Sequence, residues 1–206
     1  MESLSLTSQE RNPPRIDAQH GFLPPAQDAG WLGTILQRNR FTGSVWLVDD
    51  FREAVRVAEE WPYIQAVIPR EVVRHSLVRS VYGVAPEKLP AELALEWPAE
   101  RFGEVSHVRD RRVALDGVPE TTDELPANFY LKLTGFHLPV TAEQKERMAR
   151  AMRLAGPERV MFASGWPGGG VTWKERLAAF TQSLGPMPMA VREQILGGTA
   201  AEFYGL

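Results

Sequence analysis

The chain reads as an α/β protein, a parallel sheet with crossover helices that is broken in its middle by an antiparallel hairpin. Three observations predict this. Short β-rich runs alternate with helical stretches along most of the 206 residues, the pattern of strands joined through helices. Three of those helices share a start signal, a side-chain acceptor followed three residues later by Glu or Gln. Residues 103–117 instead place two strand-like runs on either side of Arg109-Asp110-Arg111, and a hairpin of that kind is antiparallel.

In chain order, strands are predicted at 15–20, 43–48, 64–68, 103–108, 112–115, 129–134 and 159–164. Asp50-Phe51-Arg52-Glu53 opens a helix near 51–61, Thr141-Ala142-Glu143-Gln144 one over 142–155, and Thr172-Trp173-Lys174-Glu175 one over 173–184. Ala151, Met152, Leu154 and Ala155 give the second of these an apolar face, and Gly156-Pro157 stops it. Glu71 to Tyr82 reads as a helix carrying His75. Ala85 to Pro98 holds three prolines at spacings that suit no regular element. Residues 1–14 read as a disordered tail and 15–206 as one domain.

Composition narrows the function classes. At 44% hydrophobic residues the chain can build a core, and a net charge of −3 leaves no electrostatic footprint for nucleic acid. No segment is apolar enough to span a membrane, and Met1 to Arg15 lacks the apolar run of a signal peptide, so a cytoplasmic protein is expected. The absence of cysteine removes disulfides, a thiol nucleophile and Cys-ligated zinc.

Four motifs carry a family likeness. Arg159-Val160-Met161-Phe162-Ala163-Ser164-Gly165-Trp166-Pro167 resembles the last barrel strand of the amidohydrolase-related superfamily, R-[LV]-[ML]-[FY]-[GA]-S-D-W-P, with glycine in place of the aspartate. Arg15-Ile16-Asp17-Ala18-Gln19-His20-Gly21-Phe22 is similar to its first strand, I-D-x-H-x-H, with Gln19 and Gly21 where the family has histidines. Asn128-Phe129-Tyr130-Leu131-Lys132-Leu133-Thr134-Gly135 resembles the strand N-[VF]-Y-[VL]-K-[LF]-[ST]-G, and Arg192 to Ala201 resembles the closing helix, R-x-x-I-L-G-x-N-A. The likeness covers 15–70 and 128–206 and leaves 71–127 unaligned.

The resemblance implies a TIM-barrel-like (β/α) sheet of the amidohydrolase type. A complete barrel takes about 250 residues, about 200 at the least, so one expects an incomplete barrel with fewer than eight parallel strands and a β-hairpin insertion. It also implies that the site's usual metal ligands are gone, because the missing aspartate binds metal or takes a proton from water in the family, which glycine cannot do. No metal and no cofactor are therefore expected.

Strand alternation nominates the residues left at the site. In the first strand it places Asp17, Gln19 and Gly21 inside and Ile16, Ala18 and His20 toward the helices. Gln19 is a weak metal ligand, but its amide can bind an organic substrate. In 129–134, Phe129, Leu131 and Leu133 face the helices, which turns Tyr130, Lys132 and Thr134 inward. A desolvated Lys132 suits proton transfer or a Schiff base, or else it forms a barrel-interior ion pair with Asp17 or Asp49. Asp49 shares the inner parity of Val45 and Leu47 and is an acid/base candidate, whereas Asp50 reads as a helix cap. His107 and His137 lie at or just after strand ends, where barrels place their chemistry. Trp166 and Gly168 are further substrate-binding candidates. Gly168-Gly169-Gly170 precedes a capped helix and reads as a phosphate cradle or as a shortened loop, while Trp46, Trp166 and Trp173 read as pocket lining or as core.

The favoured reading is an enzyme or binding protein for a small organic molecule that works without metal, by lactone opening, cyclisation, isomerisation or decarboxylation. An inactive scaffold serving as a binding or partner subunit comes next, and a metal-dependent hydrolase last. Uncovered edges of an incomplete barrel suggest a homodimer; neither nucleic acid nor membrane is an expected partner.

Overall fold

The computed structural model describes residues 13–20, 27–49, 51–70, 73–83, 107–167 and 169–206. Strand β1 (Arg15–His20) leads through helix α1 (Gln27–Arg38) to β2 (Phe41–Val48), and α2 (Phe51–Glu60) leads to β3 (Ile64–Pro69). These strands form one parallel sheet in the order β1-β2-β3. A second sheet runs β4-β5-β6-β7-β8, from β4 (Val81–Tyr82), β5 (His107–Arg109) and β6 (Arg112–Asp116) to β7 (Phe129–Leu133) and β8 (Val160–Phe162). In it β6, β7 and β8 are parallel, while β5 runs against both of its neighbours. Helices α3 (Ala142–Ala155) and α4 (Trp173–Leu184) follow β7 and β8. The chain ends in α5 (Met189–Glu193), a π-helical turn (Gln194–Gly198) and α6 (Thr199–Tyr204).

The two sheets abut at both edges. Val67 of β3 forms an isolated parallel bridge with Val78, just before β4. On the other side, the Gly165 N–H beyond β8 donates to the Gln19 carbonyl of β1 at 2.8 Å. No ladder among the described residues joins the sheets into one, and six strands lie in parallel ladders. This is an incomplete α/β barrel, as the length and the hairpin predict. Among the described residues no helix is long and apolar enough to cross a membrane.

Strand alternation divides the core into two layers. On the helix side, Leu36, Val57, Met148 and Phe180 pack against Trp46, Leu131, Leu133 and Phe162. Between the strands a second cluster holds Ile16, Ala18, Val45, Ile68, Ala114 and Met161, together with Phe203 and Tyr204 of α6. Phe203 meets the Tyr130 ring at 5.0 Å and the Arg112 guanidinium at 5.7 Å. Helix α6 therefore plugs the end of the barrel where β6 and β7 begin.

Most predicted elements form. The hairpin pairs Arg109 with Arg112, and Asp110 and Arg111 adopt positive φ of 47° and 63°, the two-residue turn that matches strand twist. Thr172 and Glu175 make the full capping box, whereas at Thr141 only the hydroxyl–Gln144 N–H half forms. The Asp50 cap, Gly21, the proline-rich stretch 85–98, residues 103–106 and the tail as far as residue 12 lie outside the described residues.

Two expectations need correction. Residues 73–82 form turns, a bridge and β4 rather than a helix, so His75 is not on a helix; its Nδ1 accepts from the Leu77 N–H. In β1 the parity is reversed: Ile16 and Ala18 pack in the barrel interior, and Asp17 turns toward α4. The register with β2 accounts for the change of direction farther along β1, because it steps from Asp17↔Ser44 to His20↔Trp46, three residues on β1 against two on β2. One extra residue makes a bulge that re-aims the side chains beyond it.

Gly197 ties the C-terminal turn to β1. A Cβ there would collide with the Pro14 carbonyl oxygen, Arg15 Cα and Ile16 N, all of them backbone atoms that cannot swing away. The Arg15–Glu193 ion pair clamps the same contact. Gly197→Ala is expected to cost about 2–3 kcal/mol by overpacking, read as a lower denaturation midpoint; a midpoint equal to that of the wild type would show that the contact yields.

Candidate acid–base site

Lys132 is set by β7, whose odd residues Phe129, Leu131 and Leu133 pack on the helix side and whose Tyr130 and Lys132 point inward. The parallel register places Asp116, the last residue of β6, opposite Lys132, with Nζ 2.5 Å from Oδ1. The β1 bulge brings the Gln19 amide oxygen onto the same Nζ as an acceptor. The Tyr82 ring of β4 lies 5.7 Å away. Lys132 is completely buried, while about a third of the Asp116 side chain is exposed (35%). Burial pushes the Lys132 ammonium from its ordinary 10.5 down to about 8, against the opposing pull of Asp116 and, more weakly, Asp17.

Asp17 forms a second buried node. Its carboxylate accepts from Ser164 N at 2.8 Å, Trp173 Nε1 at 2.7 Å and Gln19 N at 3.3 Å. Burial nonetheless raises it to about 6, because these hydrogen bonds only partly offset desolvation. Arg176 Nη1 donates to the Ser164 carbonyl at 2.7 Å, so β1, β8 and α4 are laced together at this point. Gly165, where the family motif has aspartate, sits at φ +59°, and a Cβ there would lie 3.5 Å from both Thr134 and Arg176 Nη1. That space is bordered by a hydroxyl-bearing side chain and a guanidinium.

The other predicted residues are more scattered. Asp49 keeps its inner parity but ends at the rim, 76% exposed and paired with Arg70 at 2.8 Å, so the direct partner of Lys132 is Asp116 rather than Asp49 or Asp17. His137 is exposed in the loop after β7. His107 pairs with Tyr82 and Ala114 through its backbone; its side chain, like that of His20, lies outside the described residues. Tyr130 belongs to the α6 plug, away from the strand ends. The Thr134 carbonyl accepts from Arg147 Nη2. Trp166 stacks on Trp31 of α1 at 5.1 Å, Trp46 and Trp173 are core, and Gly168 lies outside the described residues.

Among the described residues a family-type metal finds no fit. No three His, Cys, Asp or Glu converge among the described residues. The amide oxygen of Gln19, in a first-strand ligand position, is occupied by the Lys132 ammonium, whose charge opposes a cation there. Sequence reading missed Asp116 and Tyr82. The signal for Asp116 was its inner parity with Ala114, one residue beyond the predicted strand end; Tyr82 was assigned to a helix.

These features define an α/β-barrel protein that carries an acid–base cluster at the C-terminal ends of parallel strands. The chain belongs to the amidohydrolase family, whose sequence profile matches residues 103–206. A solved structure of a Pseudomonas putida protein, assigned as a 2-pyrone-4,6-dicarboxylic acid hydrolase, is similar with a TM-score of 0.62 at 15% identity, over 93% of this chain and 97% of that one. At that identity the likeness concerns the fold. No curated protein matches.

Proposed function

We propose that the chain acts on a small organic molecule at this barrel mouth by proton transfer through Lys132, without a metal, and that lactones are the best candidate substrates. The observation that carries this reading is the buried Lys132–Asp116–Gln19 cluster. A lysine held near 8 keeps a usable fraction of free amine at neutral pH. In lactone opening the amine takes a proton from the attacking water, the ring C–O bond breaks, and the proton is returned to the departing oxygen. Asp116, partly exposed, connects the cluster to solvent. The fold's likeness to a protein assigned to pyrone hydrolysis supports a cyclic ester as the first probe.

The test uses chelator-treated protein with 2-pyrone-4,6-dicarboxylate and simpler lactones. Turnover should survive chelation and rise with pH through about 8, the direction set by loss of the Lys132 proton. Activity that disappears with the metal, or about one metal per chain in elemental analysis, would overturn the reading. A second reading, an inactive scaffold, draws on the complete burial of Lys132 and the aliphatic lining of Ile16, Val45, Ile68 and Met161. The two are separated by lactone turnover in the wild type and its loss in the Lys132 variant discussed below.

A further inference from the structure

Asp17 is a fully buried carboxylate that the proposed proton transfer does not use. Burying a charge is costly unless it is well partnered, and its partners have a definite arrangement. Oδ2 accepts from Trp173 Nε1 of α4 at 2.7 Å. Oδ1 accepts from two backbone N–H groups, Ser164 just beyond β8 at 2.8 Å and Gln19 of β1 at 3.3 Å. The carboxylate thereby bridges the two sheets at an edge where no ladder among the described residues joins them.

The bridge falls on the β1 bulge. Pairing with β2 steps from Asp17↔Ser44 to His20↔Trp46, which leaves Ala18 and Gln19 in the gap, so the ladder does not fix where Gln19 points. Other groups hold it. The Gln19 carbonyl accepts from the Gly165 N–H at 2.8 Å and from Ser164 Oγ at 3.3 Å, while its N–H goes to Asp17. The Ala18 carbonyl accepts from the Tyr204 hydroxyl at 3.3 Å. Held on both sides of its backbone, the half-buried Gln19 sends its amide oxygen to Lys132 Nζ.

We propose that Asp17 and Ser164 are positioning residues for the Lys132 base, acting through the bulge that keeps Gln19 on its Nζ. An acceptor on the ammonium favours the charged form. Gln19 therefore limits how far burial lowers the basicity and holds the amine in one orientation. As a role in the reaction this rests on the reading of Lys132 given above; as a constraint within the protein it is tested without substrate, so the two fail separately.

Side-chain NMR titration of Lys132 in the full chain, with no substrate present, tests the proposal. Gln19→Leu should weaken proton binding at Lys132 about tenfold, the worth of a hydrogen bond to a charged group. Ser164→Ala changes no charge; it should lower the midpoint part of that way in the otherwise wild-type chain and leave it unmoved in the Gln19→Leu background. Asp17→Asn also removes a charge, so it should lower the midpoint in both backgrounds, but by more where Gln19 is present. Asp116, Tyr82 and Tyr204, which surround the cluster, are the same in every variant, so a difference in midpoint reports the change made at β1 or β8. Melting temperatures identify any variant that fails to fold; should Asp17→Asn or Ser164→Ala do so, the other decides against its own double variant. A Gln19→Leu midpoint no lower than that of the wild type, an unmoved midpoint in Ser164→Ala, or shifts of equal size with and without Gln19 would overturn the proposal.

Discussion

Lys132→Met is expected to abolish lactone turnover while the protein stays as stable as the wild type, or becomes more so, near neutral pH. The drop of the ammonium from 10.5 to about 8 means that the surroundings disfavour its charge despite Asp116, a cost of ~3 kcal/mol at pH 7. Methionine removes that cost at similar volume. The partner left behind, Asp116, is about one-third exposed and can be hydrated. The sign can be checked against pH: with a folded value below the unfolded one, the lysine's penalty is complete below about 8 and vanishes above 10.5. Wild-type stability should therefore gain on the variant as pH rises through that window. A loss of about 3–5 kcal/mol at pH 7 would instead show that the ion pair is net stabilising, and it is the absence of any lactone turnover in the wild type that would favour a scaffold. Denaturant unfolding together with a lactone assay on one preparation gives both readings.

Asp17→Ala should give the largest loss of stability, about 3–5 kcal/mol at acidic pH. It leaves the Trp173 indole N–H and the Ser164 N–H buried without acceptors, and each such donor costs about 1–3 kcal/mol. The loss depends on pH with a definite sign. Burial raises Asp17 from 3.8 to about 6, so its contribution is complete below 3.8 and falls as pH rises through 6. The gap between wild type and Asp17→Ala should therefore be wider at pH 4 than at pH 7. A gap that widens toward neutral pH would show that the carboxylate is stabilised as an anion, contrary to its assignment as a buried acid.

How far the sequence could be read depended on which physical effect governed each element. Helix caps are local, and at Thr172 and Thr141 the predicted starts form. In β7 the alternation is uninterrupted, and the inward direction of Lys132 followed directly. β1 has equally regular alternation, yet its phase was misread, because orientation depends on which face packs inward and a bulge then shifts the residues beyond it. β4 has two residues and exists through pairing with β5, so nothing local distinguishes it from a helix. Parity also says nothing about depth. Asp49 and Asp116 share inner parity at strand ends, but only Asp116 has Lys132 opposite it in register. The strand predicted over 112–115 ends one residue short of Asp116, the partner of Lys132; aspartate is a poor strand former, so its place in β6 is not a local signal.

The proposed metal-free reaction rests on a buried lysine of lowered basicity at the ends of the parallel strands. Lys88, Lys132, Lys145 and Lys174 are the chain's lysines, few enough for each side-chain signal to be followed by NMR and for Lys132 to be assigned by comparison with Lys132→Met. Titration of that signal, with and without an equivalent of zinc, is the most direct test. The account predicts a midpoint of about 8, unaffected by zinc. A midpoint near 10.5, or a signal that shifts stoichiometrically with zinc, would contradict it.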